Sequence, residues 1–194
     1  MAPRTSFSAD AVMDAAFAVL RKEGIEKLSS RKIAGRLKSS TTPVYSGIGS
    51  MKKLEEALLA RANELLFRFQ TTPRTGHIFL DMGVGYALFA KEEPMLFRAL
   101  FLDDSPHRAL RNRLRREHFA RLEAQMADEK LLEGLSAEGR HKVLERMWVF
   151  THGLSLLASQ KALDDDSIEY ITEFLQITGF DIVTAEIQRE RGAQ

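Results

Sequence analysis

The sequence predicts an all-α fold, and three observations support that prediction. Apolar residues recur three or four positions apart along most of the chain, as Leu54 and Leu58 do, which is the period of a helix with one buried face. No segment alternates apolar and polar residues in the way that a half-buried strand does. Ser, Thr, Pro and Gly residues separate the periodic segments and supply the start and stop signals of helices.

Length and composition are those of an ordinary globular protein. The 194 residues are enough for one sizeable core or two small domains. The absence of cysteine excludes disulfides, thiolate metal sites and cysteine nucleophiles. No apolar run reaches the length of a membrane span. Asp10 and Asp14 interrupt the apolar N-terminal segment at helical spacing, so we interpret it as an amphipathic helix rather than a signal peptide, and we expect a cytoplasmic location.

The first two predicted helices follow from their caps and their apolar stripes. A first helix should run from about Ser8 to Glu23 and stop at Gly24. Ser29 and Ser30 can cap a second, short helix that has one apolar side and one basic side. The apolar side carries Ile33, Ala34 and Leu37, and the basic side carries Arg31, Lys32, Arg36 and Lys38.

A third short helix and a long fourth helix follow. Thr41 and Thr42 can cap the third helix, which has Pro43 in its first turn. Ser50 should begin the fourth helix, which extends to about Phe69, where a Thr-Thr-Pro run stops it soon afterwards. Two short helices joined by a tight turn form the helix-turn-helix arrangement.

The rest of the sequence predicts further helices. They lie over GHIFLDMGVGYALFAKEE, after Pro94, from Pro106 to about Asp128, from Ser136 to about Gln160, and from Ser167 to about Gln188. Asp166 and Glu169 have the spacing of a capping box at the start of the last helix. Gly76, Gly83 and Gly85 each cost about 1 kcal/mol relative to alanine in a helix, so they indicate either close packing or a loose helix beside a cavity.

The stretch from Leu28 to Ala57, LSSRKIAGRLKSSTTPVYSGIGSMKKLEEA, resembles the DNA-binding domain of the TetR family of one-component transcriptional regulators. The similarity lies in SSRKIAGRL, in the run Pro43-Val44-Tyr45, and in the preceding helix FSADAVMDAAFAVLRKEG, and it covers about the first sixty residues. The resemblance implies a helix-turn-helix DNA-binding domain over residues 1–50, a connecting helix over 51–69, and an effector-binding and dimerisation domain over 70–194.

By the same resemblance, we expect a ligand-responsive repressor that a small, mainly apolar effector releases from a palindromic operator. Three positions depart from the family pattern. Lys38 stands at the turn, where a small residue is usual; Gly47-Ile48 replace an aromatic residue; Met51 replaces a phosphate-binding lysine. These departures leave open an alternative, in which a TetR-like protein with a degenerate DNA-binding head acts as a protein-interaction module.

The resemblance also implies roles for residues of the head. Arg31, Thr41, Thr42, Pro43 and Ser46 match positions that face the major groove, and Ser30, Tyr45, Lys52 and Lys53 match positions that contact phosphates. Residues 1–60 hold ten Lys or Arg and six Asp or Glu, a net charge of +4 against −3 for the remainder, which suits contact with phosphates. The alternative is a generic three-helix packing unit whose basic residues are merely solvated.

Aromatic residues and methionines are dense in the second half, where we expect an apolar effector pocket between helices. The candidate pocket residues are Phe67, Met82, Tyr86, Phe89, Phe97, Phe101, Trp148 and His152. Plain hydrophobic core is the alternative for each of them. The arginine-rich segment HRALRNRLRREHFARLE reads as a solvated helix surface, with an anionic ligand as its alternative.

The segment WVFTHGLSLLASQ looks like the Trp-x-x-x-His-Gly segment in the penultimate helix of many TetR-family members. In those relatives the last two helices form a four-helix interface between two subunits. The resemblance, with apolar residues on more than one side of the last helix, predicts a homodimer. The candidate interface residues are Phe150, Leu154, Leu157, Ile171, Phe174 and Ile177. A monomer core is the alternative.

No pattern in the sequence indicates an enzyme. The five histidines show no HExxH spacing, and there is neither a glycine-rich phosphate loop nor a G-x-S-x-G elbow. We therefore predict a protein that is not an enzyme and needs no metal or cofactor, with operator DNA, a small-molecule effector and a second copy of the chain as partners. The rival hypothesis is an all-α hydrolase or lyase that uses His152 with an Asp or Glu.

Overall fold

The computed structural model describes residues 7–42, 44, 49–102 and 107–192, and these residues form eight helices and no strand. The helices are α1 (Ala9–Glu23), α2 (Ser30–Arg36), α3 (Met51–Thr71), α4 (Ile78–Glu92), α5 (Pro94–Phe101), α6 (Arg108–Gln125), α7 (Ala137–Ser159) and α8 (Ile168–Gly192). Short 3₁₀ turns occupy Ile25–Lys27, Met126–Asp128 and Lys130–Leu132. The all-α prediction is confirmed. No described helix is both long enough and apolar enough to cross a membrane.

Helix α1 begins and ends where its sequence signals place it. The hydroxyl of Ser8 accepts a hydrogen bond from the backbone N–H of Ala11 at 3.2 Å, which caps the first turn. At the other end Gly24 has a φ of 85°, and its N–H donates to the carbonyl of Leu20. A glycine at this position terminates the helix without steric cost.

Helix α2 ends in a Schellman motif that has a lysine at the left-handed position. The N–H of Ser39 donates to the carbonyl of Ala34 at 3.0 Å, and the N–H of Lys38 donates to the carbonyl of Gly35 at 3.2 Å. Lys38 has a φ of 51°, a conformation that costs a residue with a Cβ atom about 1 kcal/mol. The backbone therefore adopts the turn for which glycine is best suited, with lysine in its place.

The described chain forms two compact units, whose bounds differ from the three predicted domains. Unit 1 comprises Met1–Glu64 and Glu93–Asn112, and unit 2 comprises Leu65–Glu92 and Arg113–Gln194. Helix α5 packs against α1 inside unit 1. The buried carboxylate of Glu93 accepts hydrogen bonds from the Nε of Arg21, at 2.6 Å, and from its Nη2. This ion pair joins the start of α5 to α1, which is why residues 93–112 group with the N-terminal helices.

Unit 2 is built on α4, which packs against both α7 and α8. A Cβ atom added at Gly85 of α4 would lie 2.1 Å from the carbonyl oxygen of Phe69 and 2.7 Å from the Cα of Gln70. At this point α4 and the end of α3 are in direct backbone contact. Close packing is therefore the correct interpretation of Gly85. At Gly83, an added Cβ atom would lie 3.3 Å from a methyl group of Leu175, so that site is tight but less so.

A buried polar bridge reinforces this contact. The side-chain amide of Gln70 donates to the carbonyl of Met82 at 3.2 Å, and its oxygen lies 2.6 Å from the Nε2 of His118. Because the amide oxygen only accepts, Nε2 of His118 carries the proton. Both side chains are buried, so the bridge satisfies polar groups that would otherwise be costly inside the core.

The last two helices start at serine caps. The Ser136 hydroxyl accepts from the N–H of Gly139 at 3.0 Å, which confirms the predicted start of α7. At α8, the Ser167 hydroxyl accepts from the N–H of Tyr170 at 3.2 Å. The predicted capping box of Asp166 and Glu169 is therefore wrong, since the cap lies one residue later. Helix α8 also continues to Gly192, beyond the predicted end.

Candidate nucleic-acid interface and helical body

Helix α2 separates an apolar face from a charged one. Ile33 and Ala34 are buried in unit 1, whereas Arg31, Arg36 and Lys38 are exposed. The Ser29 hydroxyl accepts from the N–H of Lys32 at 3.4 Å and caps the helix. The predicted division of α2 into a packing side and a basic side is present in the structure.

Several basic side chains of unit 1 are already paired with acids. Arg21 is bound to Glu93, Lys32 is bound to Glu23, and Arg61 is bound to Asp14 at 2.6 Å. The hydrogen bond from Lys32 holds the pKa of the Glu23 carboxyl below its ordinary value. Within each pair the opposite charges largely neutralise each other.

Several other cations of unit 1 have no such partner, and four of them lie in or beside the helix-turn-helix segment. Arg31, Lys38, Lys52 and Lys53 are exposed, and none of them forms an ion pair or hydrogen bond through its side chain with any residue in the described ranges. The four lie in the helix-turn-helix segment and in the first turn of α3, where the Ser50 hydroxyl accepts from the N–H of Lys53 at 3.3 Å. Their charge is available to a polyanion.

The segment that follows Lys38 is described in part. Thr41 and Thr42 are exposed, and Val44 is fully buried, with its N–H donating to the carbonyl of Thr41 at 3.1 Å. Val44 therefore packs inside the unit while the neighbouring Thr41 and Thr42 remain exposed to solvent. Ser30 is half-buried. The candidate residues Pro43, Tyr45 and Ser46 lie outside the described residues, as does the Gly47-Ile48 pair.

Unit 2 contains a polar triad among its aromatic residues. The hydroxyl of Tyr86 lies 2.8 Å from the Nδ1 of His152, and the centre of the Trp148 ring lies 5.9 Å from that of the His152 ring. Whether the hydroxyl donates to Nδ1 or accepts from it depends on the tautomer of His152.

Burial favours the neutral forms of Tyr86 and His152. Burial raises the pKa of the Tyr86 hydroxyl far above its ordinary value, and the hydrogen bond from Trp148 opposes that rise only in part. Burial also lowers the pKa of His152 below its ordinary value. Both groups are thus held neutral, as a hydrogen-bonded triad between aromatic rings requires.

The eight candidate pocket residues fall into both units. Phe97 and Phe101 belong to α5 of unit 1, where their rings lie 5.1 Å apart. The other six belong to unit 2. Tyr86, Trp148 and His152 form the triad, while Phe89 is fully buried with its ring 5.5 Å from that of Phe69. The structure thus brings together three of the eight residues.

A half-open groove of about 960 Å³ lies elsewhere in unit 2 and is lined mainly by apolar side chains. Four large hydrophobic residues at its edge are exposed: Ile78 at the start of α4, Leu131, and Ile177 and Phe180 of α8. None of the eight candidate pocket residues lines it. The sequence did not predict this groove because its walls come from segments that are about fifty residues apart in the chain.

The carboxylate of Glu129, beside this groove, is satisfied within unit 2. Glu129 is buried, and its carboxylate accepts from the backbone N–H of Phe79 at 3.1 Å and from that of Leu131 at 3.2 Å. It therefore caps the start of α4. In the described part of the chain no three His, Asp or Glu side chains are grouped as metal ligands would be.

Comparison with known structures identifies the architecture. A TetR-family transcriptional regulator from Streptomyces coelicolor aligns with a TM-score of 0.72 and 20% sequence identity, covering 95% of this chain and 88% of that chain. The chain has the TetR-type fold. ActR from the same organism aligns with a TM-score of 0.55 and 15% identity over 98% of this chain and 99% of that chain. Its complex with (S)-DNPA aligns with a TM-score of 0.54 and 16% identity, covering 95% of this chain and 98% of that chain. No family model and no curated protein sequence matches the chain.

Within the TetR-type fold, the last two helices expose an apolar surface. On α8 the exposed residues Tyr170, Phe174 and Ile177 recur at intervals of four and three, on the face opposite the buried residues Leu175 and Val183. The rings of Tyr170 and Phe174 stack at 5.8 Å. We call this surface, together with the exposed residues Val149 and Leu157 of α7, the outer apolar face.

Two of the six candidate interface residues are buried within the subunit. Leu154 and Ile171 are buried in the core of unit 2, where they already pack against the subunit's own helices. Leu157, Phe174 and Ile177 are exposed, and Phe150 is half-buried with its ring 5.5 Å from that of Phe174. Apolar residues recur at the same three-to-four-residue spacing on the buried face and on the exposed face of a helix that is apolar on both sides. The sequence alone therefore did not distinguish core residues from surface residues.

Proposed function

We propose that this protein is a sequence-specific transcriptional regulator that binds double-stranded DNA through unit 1. The observation that carries the proposal is the set of four exposed cations, Arg31, Lys38, Lys52 and Lys53, that have no acidic partner in the described residues. They occur in the helix-turn-helix segment and beside it, whereas Arg21, Lys32 and Arg61 of the same unit are paired with acids. The TetR-type fold supports the same assignment.

The unpaired residues suit two different kinds of contact. The guanidinium of Arg31 can form two hydrogen bonds to the O6 and N7 atoms of guanine, and the methyl groups of Thr41 and Thr42 suit the methyl group of thymine. The ammonium groups of Lys52 and Lys53 are point charges on the first turn of α3, which suit phosphates. In this scheme Arg31 reads sequence and the lysine pair sets register.

The proposed regulator is a homodimer that is joined through the outer apolar face. Helix α8 buries one face in its own subunit and presents Tyr170, Phe174 and Ile177 on the other. A second copy would cover this surface, which water otherwise contacts at a free-energy cost. Gly153 of α7 adds to the fit, since no atom lies within 4 Å of the position of its absent Cβ. Two subunits would then read half-sites about 34–36 Å apart, or a multiple of that distance.

The proposed effector is a small and mainly apolar molecule that binds unit 2 and releases the protein from its operator. The groove of about 960 Å³ in unit 2 supplies the apolar walls that such a molecule needs. ActR, which shares the fold, has been solved with (S)-DNPA. Helix α3 is continuous from Met51 to Thr71 and contributes residues to both units, so it is the candidate element that couples the effector to DNA binding.

A footprint on the intergenic DNA upstream of the protein's own gene tests this proposal. The expected result is a protected, two-fold-symmetric site that persists when the salt concentration is raised, because base contacts are lost less readily than phosphate contacts alone. Protection without sequence preference, or none at all, would instead support the alternative of a TetR-like interaction module with a degenerate head.

A further inference from the structure

The residue at the turn after α2 has an unusual combination of properties. Lys38 occupies the left-handed position of a Schellman motif, with a φ of 51°, and the hydrogen bonds from its own N–H and from Ser39 fix that conformation. Glycine adopts this conformation without the steric cost that a Cβ atom brings. A strained backbone at a surface turn is a reason to ask what the side chain does there.

The side chain of Lys38 has no polar partner among the described residues. It is exposed, and it makes no ion pair or hydrogen bond with the residues that the structure describes. It lies three residues before Thr41, four before Thr42, and just after the exposed basic face of α2. Its positive charge therefore belongs to the same set of unpaired cations as Arg31, at the other end of the helix.

A second lysine in the chain provides an internal comparison. Lys161 follows α7 in the same Schellman geometry, with a φ of 54° and hydrogen bonds from its N–H to the carbonyl of Ala158 and from Ala162 to the carbonyl of Leu157, both at 3.0 Å. It is also exposed, but it lies in unit 2, away in sequence from the helix-turn-helix segment. The two positions share backbone strain and charge and differ in their surroundings.

We propose that Lys38 is a phosphate-contacting residue of the DNA interface, held by its left-handed turn so that its ammonium group reaches the DNA backbone. This inference rests on the proposed function of unit 1. It predicts that stability and DNA binding respond in opposite directions when Lys38 is replaced by glycine. The backbone strain disappears, which stabilises the fold, while one charge contact with DNA is lost.

Four full-length variants separate strain from charge. Lys38→Gly removes both, Lys38→Gln removes the charge alone, Lys38→Arg keeps both, and Lys161→Gly is the matched control. The DNA probe is a duplex that the wild-type protein has enriched from a random-sequence library, together with a scrambled duplex of the same composition. For each protein, the melting temperature and the dissociation constant over a series of salt concentrations are measured.

The expected results differ between variants. Lys38→Gly and Lys38→Gln should each bind both duplexes about 25-fold more weakly at about 0.1 M salt, because the proposed dimer loses a contact of about fivefold in each subunit. The slope of log K against log salt should fall by about 1.8, the value for two phosphate contacts. Lys38→Arg should bind as the wild type does. Lys38→Gly and Lys161→Gly should both melt at higher temperature than the wild type, and Lys161→Gly should leave the salt slope unchanged.

Two outcomes overturn the inference, and they are distinct. If the wild type binds DNA with sequence preference but Lys38→Gly and Lys38→Gln keep its affinity and salt slope, Lys38 touches no phosphate while the proposed function stands. If the wild type enriches no sequence and binds no duplex, the proposed function fails and the role of Lys38 fails with it.

Discussion

Replacement of Gly85 by alanine should destabilise the protein strongly. The added Cβ would lie 2.1 Å from the carbonyl oxygen of Phe69 and 2.5 Å from its carbonyl carbon, whereas a relaxed contact between carbon and oxygen is about 3.3 Å or longer. Both obstructing groups are backbone, so no side-chain rotation relieves the clash, and α3 and α4 must separate by about 1 Å. The bridge from Gln70 to the carbonyl of Met82 spans the same contact and would be strained as well.

The magnitude follows from two opposing effects. Overpacking costs up to about 3 kcal/mol when the surroundings cannot rotate away, and alanine returns about 1 kcal/mol through its better helix propensity. The net loss is about 2 kcal/mol, which for a chain of this length lowers the melting temperature by about 4–8 °C. Thermal unfolding followed by circular dichroism measures this directly.

Gly83→Ala is the matched control for this prediction. It makes the same change in the same helix, but the added Cβ would meet only a methyl group of Leu175, at 3.3 Å, and that side chain can move. Its melting temperature should stay close to that of the wild type, because the gain in helix propensity and the crowding nearly cancel. If Gly85→Ala melted as Gly83→Ala does, the backbone contact between α3 and α4 would be refuted.

Three further predictions concern binding, assembly and pH. Arg31→Ala should lose about 1–3 kcal/mol of discrimination in each half-site between the operator and scrambled DNA, as measured by fluorescence anisotropy, and equal preference in Arg31→Ala and the wild type would remove its base-reading role. Lys52→Ala with Lys53→Ala should weaken binding to both DNAs and lower the salt slope by about 3.6, because each subunit of the dimer loses two phosphate contacts. Ile177→Glu should halve the mass measured by light scattering, towards the monomer value of 21.9 kDa, because it places a charge in the outer apolar face. A wild-type protein that is already monomeric would contradict the dimer. Burial lowers the pKa of His152 below its ordinary value of about 6.5, so as the pH falls the unfolded chain binds this proton before the folded protein does. The free energy of unfolding should therefore decline below about pH 6.5, and urea titrations at about pH 7.5 and about pH 5.5 measure that decline. His152→Gln should lessen the decline, and an equal decline in the variant would count against the buried neutral histidine.

Much of the fold was predictable because its signals are local. Ser8, Ser29 and Ser136 each cap the helix that their sequence context indicates, since a cap needs only a hydroxyl and the backbone three residues ahead. The sequence predicted a turn at Lys38 but left open whether its backbone would be strained or the turn would differ, and its φ of 51° shows that it is strained. Local signals failed at Asp166, where the neighbouring Ser167 supplied the cap instead.

The features that were missed depend on contacts between distant segments. Nothing near Glu93 in the sequence indicates that its carboxylate is buried against Arg21, seventy-two residues away, which is what assigns α5 to unit 1. The groove is missed for the same reason. Leu154 and Ile171 have the periodicity of an interface stripe, but that periodicity serves the core equally well, and only their burial distinguishes the two.

The central claim is that unit 1 reads a DNA sequence, and selection from a random duplex library tests it most directly. The purified protein is incubated with duplexes that contain a randomised segment, bound DNA is recovered and amplified over several rounds, and the enriched pool is sequenced. The proposed function predicts a two-fold-symmetric consensus whose half-sites lie about one helical turn of DNA apart or a multiple of it, and whose enrichment Arg31→Ala weakens. A pool that stays random after selection, from a protein that remains folded, would contradict the claim.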